Sequence, residues 1–125
     1  MKILVINGPN INMLGIREKN IYGAETYEDL KALLEKTFAE KGVEGEIYQS
    51  NHEGDLVDRI QQAYFDGTEG IVINPAAYTH TSVDVKERED FRQISYAGKA
   101  CVKTIMGRGL KGYVDAIAFL VENKA

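Results

Sequence analysis

Two short stretches hold most of the side chains in this sequence that could do chemistry. The first, NGPNINMLGIREKNIYG (7–23), gathers Asn10, Asn12, Arg17 and Tyr22 on a loop rich in Gly and Asn. A free phenol has a pKa of about 10, and a guanidinium beside it favours the ionised form. An Arg–Tyr pair can therefore supply a tyrosinate base near neutral pH. Spacing alone does not separate that role from an exposed loop with an incidental Arg and Tyr. The second stretch, NPAAYTHTS (74–82), offers Asn74, Thr79, His80 and Ser82 on a turn stiffened by Pro75. These short hydrogen-bonding groups suit hydroxyls and a carboxylate, and His80 can serve as structural hydrogen-bonder or as catalyst. A third, QSNHEG (49–54), reads as a strand end running into a helix. Ser50 or Asn51 is the expected cap there, which leaves His52 as a surface residue.

Several chemistries are excluded. The first loop contains neither G-x-G-x-x-G nor Gly-Lys-Ser/Thr, so it is not a dinucleotide fingerprint or a phosphate loop. Two histidines and scattered carboxylates form no metal constellation. A net charge of −4 and a pI near 5.2 argue against a nucleic-acid partner, which demands a basic footprint. The loose basic group Lys99, Lys103, Arg108 and Lys111 reads as a solvated face. Cys101 is the single cysteine, lies inside the apolar run ACVKTIMG and reads as a small core residue. It permits no intramolecular disulfide, which fits a reducing compartment. The opening MKILVINGPN is too short an apolar run for a signal peptide or a membrane span. A cytoplasmic protein without a membrane partner is the expectation.

The elements that must position these loops follow from periodicity. The 125 residues, 44% hydrophobic and 27% charged, are read as a single domain, 1–125. KILVIN (2–7) is a nearly continuous apolar run ending at Gly8-Pro9, as expected of a buried parallel strand. Thr26 with Asp29 resembles an N-cap opening an amphipathic helix with Leu30, Leu33, Leu34 and Phe38 on one face, closed by Gly42. VEGEIYQ (43–49) alternates more and so reads as a strand nearer an edge. EGDLVDRIQQAYFDG predicts a second helix with Leu56, Val57, Ile60, Ala63 and Tyr64 facing inward. EGIVIN (69–74) is a third buried strand, ACVKTIM (100–106) another, and GLKGYVDAIAFLVENK a closing helix striped by Tyr113, Ile117, Leu120 and Val121. Strand alternating with helix predicts an α/β fold, a parallel sheet covered on both faces. Between residues 75 and 99 the pattern fails. A further parallel strand needs a crossover with an apolar face, yet DVKEREDFRQISYAG offers Val85, Phe91 and Ile94 among seven charges. One helix–strand unit is missing.

Taken in order, NGPNINMLGIREKNIYG, QSNHEG, INPAAYTHTSV, REDFRQISY and GRGLKGYVDAI resemble type II 3-dehydroquinate dehydratase, over nearly the whole chain. The resemblance implies a flavodoxin-like fold and a dodecamer built from trimers, with no metal or organic cofactor. It implies anti elimination of water from 3-dehydroquinate through an enolate, giving 3-dehydroshikimate in the shikimate pathway towards aromatic amino acids. Position by position, Tyr22 resembles the family's general base and Arg17 the arginine that keeps it ionised. Asn10 resembles the asparagine that positions a water on the enolate. Asn74, His80 and Arg92 match substrate-binding positions, Arg88 matches a second arginine of unassigned role, and the loop from about 17 to 23 matches a lid.

The chain departs from the family at three places. Lys19 replaces a common Pro, and Ala76 replaces a common Gly, which matters if that position needs positive φ. Between Val83 and Asp84 the family carries about 19 more residues, the size of one helix–strand unit. They include its general-acid histidine and the Ser that holds the substrate carboxylate. Three readings stay open: residues omitted from the chain as written, a deletion leaving a non-catalytic assembly or small-molecule-binding module, or an enzyme in which His80 replaces the acid.

Overall fold

The computed structural model describes residues 1–13, 25–76 and 110–123. Lys2–Asn7 forms β1, Glu44–Gln49 forms β2 and Gly70–Asn74 forms β3. Both pairings are parallel, and the order is β2-β1-β3. The run KILVIN takes the central place because both of its faces are apolar: Ile3, Leu4, Val5 and Ile6 are buried. β2, whose sequence EGEIYQ alternates, lies at an edge of the described sheet, as its pattern predicts. The expected strand at 100–106 and the Val83–Asp84 junction lie outside the described residues.

Three helices accompany the strands: α1 (Tyr27–Lys41), α2 (Glu53–Phe65) and α3 (Lys111–Glu122). On one face of the sheet, Ile3 and Val5 pack with Leu30, Leu34 and Phe38 of α1 and with Tyr113 and Ile117 of α3. On the other, Leu4 and Ile6 pack with Leu56 and Ala63 of α2. Alternation along β1 sends odd and even residues to opposite layers, so the fold is the expected α/β type with helices on both faces. Each fully buried Leu or Ile contributes about 1.5–3 kcal/mol of transfer free energy.

The ends of α1 follow the sequence signals. Thr26 Oγ1 accepts from the Asp29 amide at 3.1 Å, and the Asp29 carboxylate accepts from the Thr26 amide at 2.9 Å, a complete capping box. Gly42 closes the helix with φ +65°, where a Cβ would be strained. The stripe of α3 is also as predicted, with Tyr113 and Ile117 buried and Leu120 and Val121 packed beside them.

α2 departs from expectation twice. Leu56 and Ala63 are buried, Ile60 packs at the margin and Val57 is half-buried, but Tyr64 is 84% exposed and stacks edge-on against exposed Phe65. Arg59 takes an inward place instead. Residues 56, 59, 60 and 63 already fill one helical stripe, and Arg59 can enter it because Glu46 accepts from its guanidinium at 2.9 Å and Asp66 pairs with it at 3.2 Å. The second departure is the cap. His52, not Ser50 or Asn51, occupies the N-cap position, and its side chain makes no capping bond. As expected, His52 is exposed.

Candidate active site

β1 and β3 run in register and end together, with Asn7 paired to Asn74. The chain then turns at Gly8, whose amide donates to the Asn74 carbonyl at 2.8 Å. A Cβ on Gly8 would lie 2.8 Å from the Pro75 carbonyl carbon, so only glycine lets the two strand-end loops approach this closely. Two residues later Asn10 adopts φ +67°, a left-handed conformation that asparagine tolerates better than most residues. Its amide donates to Asn51 Oδ1 at 2.9 Å. Gln49 Nε2 donates to the same oxygen at 3.0 Å and to the Gly8 carbonyl at 3.1 Å. The end of β2 thus clamps the loop that follows β1. Asn10 itself is exposed, and its side chain makes no hydrogen bond among the described residues, so its amide is available to a ligand.

Asn74 is held from two sides. Its Oδ1 accepts from the Ala76 amide at 3.2 Å, and its Nδ2 donates to the Tyr113 hydroxyl at 2.9 Å. Tyr113 in turn donates to Asn7 Oδ1 at 2.6 Å. Asn7 is fully buried, and its Nδ2 has no hydrogen-bond partner among the described residues. Nearby Tyr27 has its phenol pushed up by burial, an effect opposed by the Lys31 charge and by the Asn7 side chain; it is protonated at neutral pH. Ala76, beyond Pro75, has φ +53°, the strained conformation foreseen if glycine were needed there.

The structure therefore brings Asn10 and Asn74, two of the six expected site residues, to one end of the sheet. Arg17, Tyr22, His80 and Arg92 lie outside the described residues. Asn51 serves the site's scaffold through the loop after β1, whereas Ser50 ties down the start of α2 without being its N-cap: its Oγ accepts from the His52 amide at 3.0 Å and donates to Asp55 at 2.7 Å. Sequence reasoning did not single out Asn7, Gln49 or the hydroxyl of Tyr113. Asn7 had a legible signal, a polar residue closing an otherwise apolar buried strand. Among the described residues no group of His, Cys, Asp and Glu could hold a metal ion, and no helix is long and apolar enough to cross a membrane. The arrangement offers fixed amide donors and acceptors, chemistry suited to a hydroxylated small molecule.

Neutral hydrogen-bonding groups gathered beyond the carboxyl ends of parallel strands define a small-molecule site of the doubly wound α/β class. The comparisons narrow that class. The model of the family Dehydroquinase class II matches residues 1–87 and 83–121. The 3-dehydroquinate dehydratase of Lachnospira eligens is 44% identical over 142 positions, covering 98% of this chain and 97% of the relative. That of Lachnoclostridium phytofermentans is 46% identical over 140 positions, covering 97% of each. The crystal structure of type II dehydroquinase from Butyrivibrio crossotus superposes with a TM-score of 0.85 at 52% identity, covering 96% of this chain and 97% of that one. The chain belongs to the class II dehydroquinase family, and its fold is flavodoxin-like.

The same comparisons locate the missing unit. Of the 142 positions aligned with the Lachnospira eligens protein, 98% of 125 residues fills about 122, leaving about 20 positions without a residue in this chain. The two stretches that match the family model meet at residues 83–87. This is the junction where periodicity and motif order both place the absent helix–strand unit.

Proposed function

We propose that this chain binds 3-dehydroquinate and removes water from it by anti elimination through an enolate, giving 3-dehydroshikimate. The observation that carries the reading is the full-length family match combined with Asn10 and Asn74 at the shared end of β1 and β3. Tyr22 takes the proton beside the ketone, and Arg17 keeps that phenol ionised. Asn10 holds a water on the enolate oxygen, a donor fixed before charge develops there. Asn74, His80 and Arg92 bind the substrate's oxygens. No metal or organic cofactor enters these steps. The 125 residues act as one domain in a cytoplasmic homo-oligomer, a dodecamer of trimers.

The family resemblance places the acid that protonates the departing hydroxyl in the segment this chain lacks, which makes His80 the nearest substitute in sequence. The product is a conjugated enone, so its ultraviolet absorbance reports turnover directly. Tyr22→Phe is expected to abolish enone formation while 3-dehydroquinate binding, measured by calorimetry, largely survives. Near-normal turnover in that variant would remove Tyr22 from the role of base. A parent chain that binds 3-dehydroquinate but forms no enone would instead be a binding or assembly module.

A further inference from the structure

Asparagine amides can present either oxygen or nitrogen, and a phenol hydroxyl can turn either way. A row of such groups has a defined polarity only if one end is fixed. In this site one end is fixed. The Ala76 amide is a backbone donor, so the atom of Asn74 that meets it must be Oδ1. Nδ2 then faces Tyr113, and the phenol oxygen must accept from it. Having accepted there, the hydroxyl sends its own proton to Asn7, which must present Oδ1. The row runs from a strained turn, through the end of β3, through a residue of α3, to the buried end of β1. Only its first link is local: Asn74 and Tyr113 are 39 positions apart, and Tyr113 and Asn7 are 106 apart.

We propose that Tyr113 is a positioning residue for substrate binding. Its hydroxyl, anchored on buried Asn7, fixes the amide of half-buried Asn74 so that one N–H proton of Nδ2 remains to donate to a hydroxyl or carbonyl oxygen of the substrate. This rests on the assignment of Asn74 as a substrate-binding residue made above. Without the hydroxyl, the Asn74 side chain keeps its bond to Ala76 but loses the contact that orients its nitrogen, and binding must then restore that order.

Tyr113→Phe tests the proposal, because it removes one oxygen and keeps the ring in the core. Measured in a Tyr22→Phe background, where binding is separated from turnover, it is expected to weaken 3-dehydroquinate binding about three- to tenfold, the range of one neutral hydrogen bond. In an Asn74→Ala background the same change is expected to have no further effect on Kd. The side-chain amide signals of Asn74 in the ligand-free protein, identified by their loss in Asn74→Ala, are expected to shift or broaden in Tyr113→Phe. Unmoved signals, an unchanged Kd, or an equal loss in both backgrounds would each overturn the proposal. An Asn74→Ala variant with unchanged Kd overturns the substrate assignment itself, while the amide signals still report whether Tyr113 holds Asn74. Should Tyr113→Phe fail to fold because it orphans Asn7, the pair Asn7→Leu with Tyr113→Phe removes both partners with little change of shape, and the same outcomes apply.

Discussion

Asn10 and Ala76 hold similar left-handed backbones at the two strand-end loops, with φ of +67° and +53°, but their side chains suit that conformation unequally. A left-handed non-glycine residue costs about 1–2 kcal/mol, less for asparagine. Part of what a glycine recovers there is lost to the greater freedom of its unfolded chain. Ala76→Gly is therefore expected to stabilise the protein by about 0.5–1 kcal/mol, seen as a rise of about 2–5 °C in the melting midpoint. The backbone amide that orients Asn74 remains in the variant, so 3-dehydroquinate binding is expected to stay within about twofold. A fall in the midpoint would mean that the alanine methyl, which packs beside the α1–α3 core, outweighs the strain.

At the scale of elements, the ends opposite the site are tied by charge. Asp66 closes α2, pairs with Arg59 at 3.2 Å and lies 3.8 Å from Lys2 Nζ at the start of β1. Hydrogen bonds from Thr68 are the main cause holding its carboxyl below the ordinary value of 3.8, with help from Lys2 and Arg59. A depressed folded-state pKa means that the carboxylate contributes stability above the unfolded value and loses it as pH falls through the folded one. Stability should thus decline in acid below pH 3.8, and Asp66→Asn should flatten that part of the profile, as followed by denaturant melts across pH. Arg59 also shows why α2 was only partly legible. Periodicity placed Tyr64 inward because it counted apolar residues. The deciding facts were partners on β2 and past the helix end, which no local window contains. β1, α1 and α3 were legible because their signals are local: a continuous apolar run, a capping box, a clean stripe. The candidate site was legible as residue types at strand ends, and of its expected members Asn10 and Asn74 do share one end of the sheet. The network behind them was not, since Asn7, Asn51 and Tyr113 acquire their roles only when distant strands and helices meet.

At the scale of the whole molecule, the missing unit bears on cover and on chemistry together. Among the described residues, the α2 face of the sheet carries its exposed apolar groups: Tyr64 and Phe65 on the helix and Ile71 on β3. A right-handed crossover leaving β3 would place its helix on one face and its strand alongside the sheet. The family resemblance adds that this unit carries the acid and a carboxylate-binding Ser. Inserting between Val83 and Asp84 the roughly 20 residues by which the Lachnospira eligens protein exceeds this chain in their alignment should therefore act twice. Turnover of 3-dehydroquinate is expected to rise about 10²–10⁴-fold, the usual contribution of a positioned proton donor. The melting midpoint is expected to rise with it, as apolar surface becomes covered. In the inserted chain His80→Ala should weaken substrate binding more than it slows chemistry, whereas in the 125-residue chain it should slow chemistry if His80 stands in as the acid. An insertion that stabilises the fold without raising turnover would show that the segment supplies packing alone, and that the proton for the departing hydroxyl already comes from elsewhere in this chain or from water.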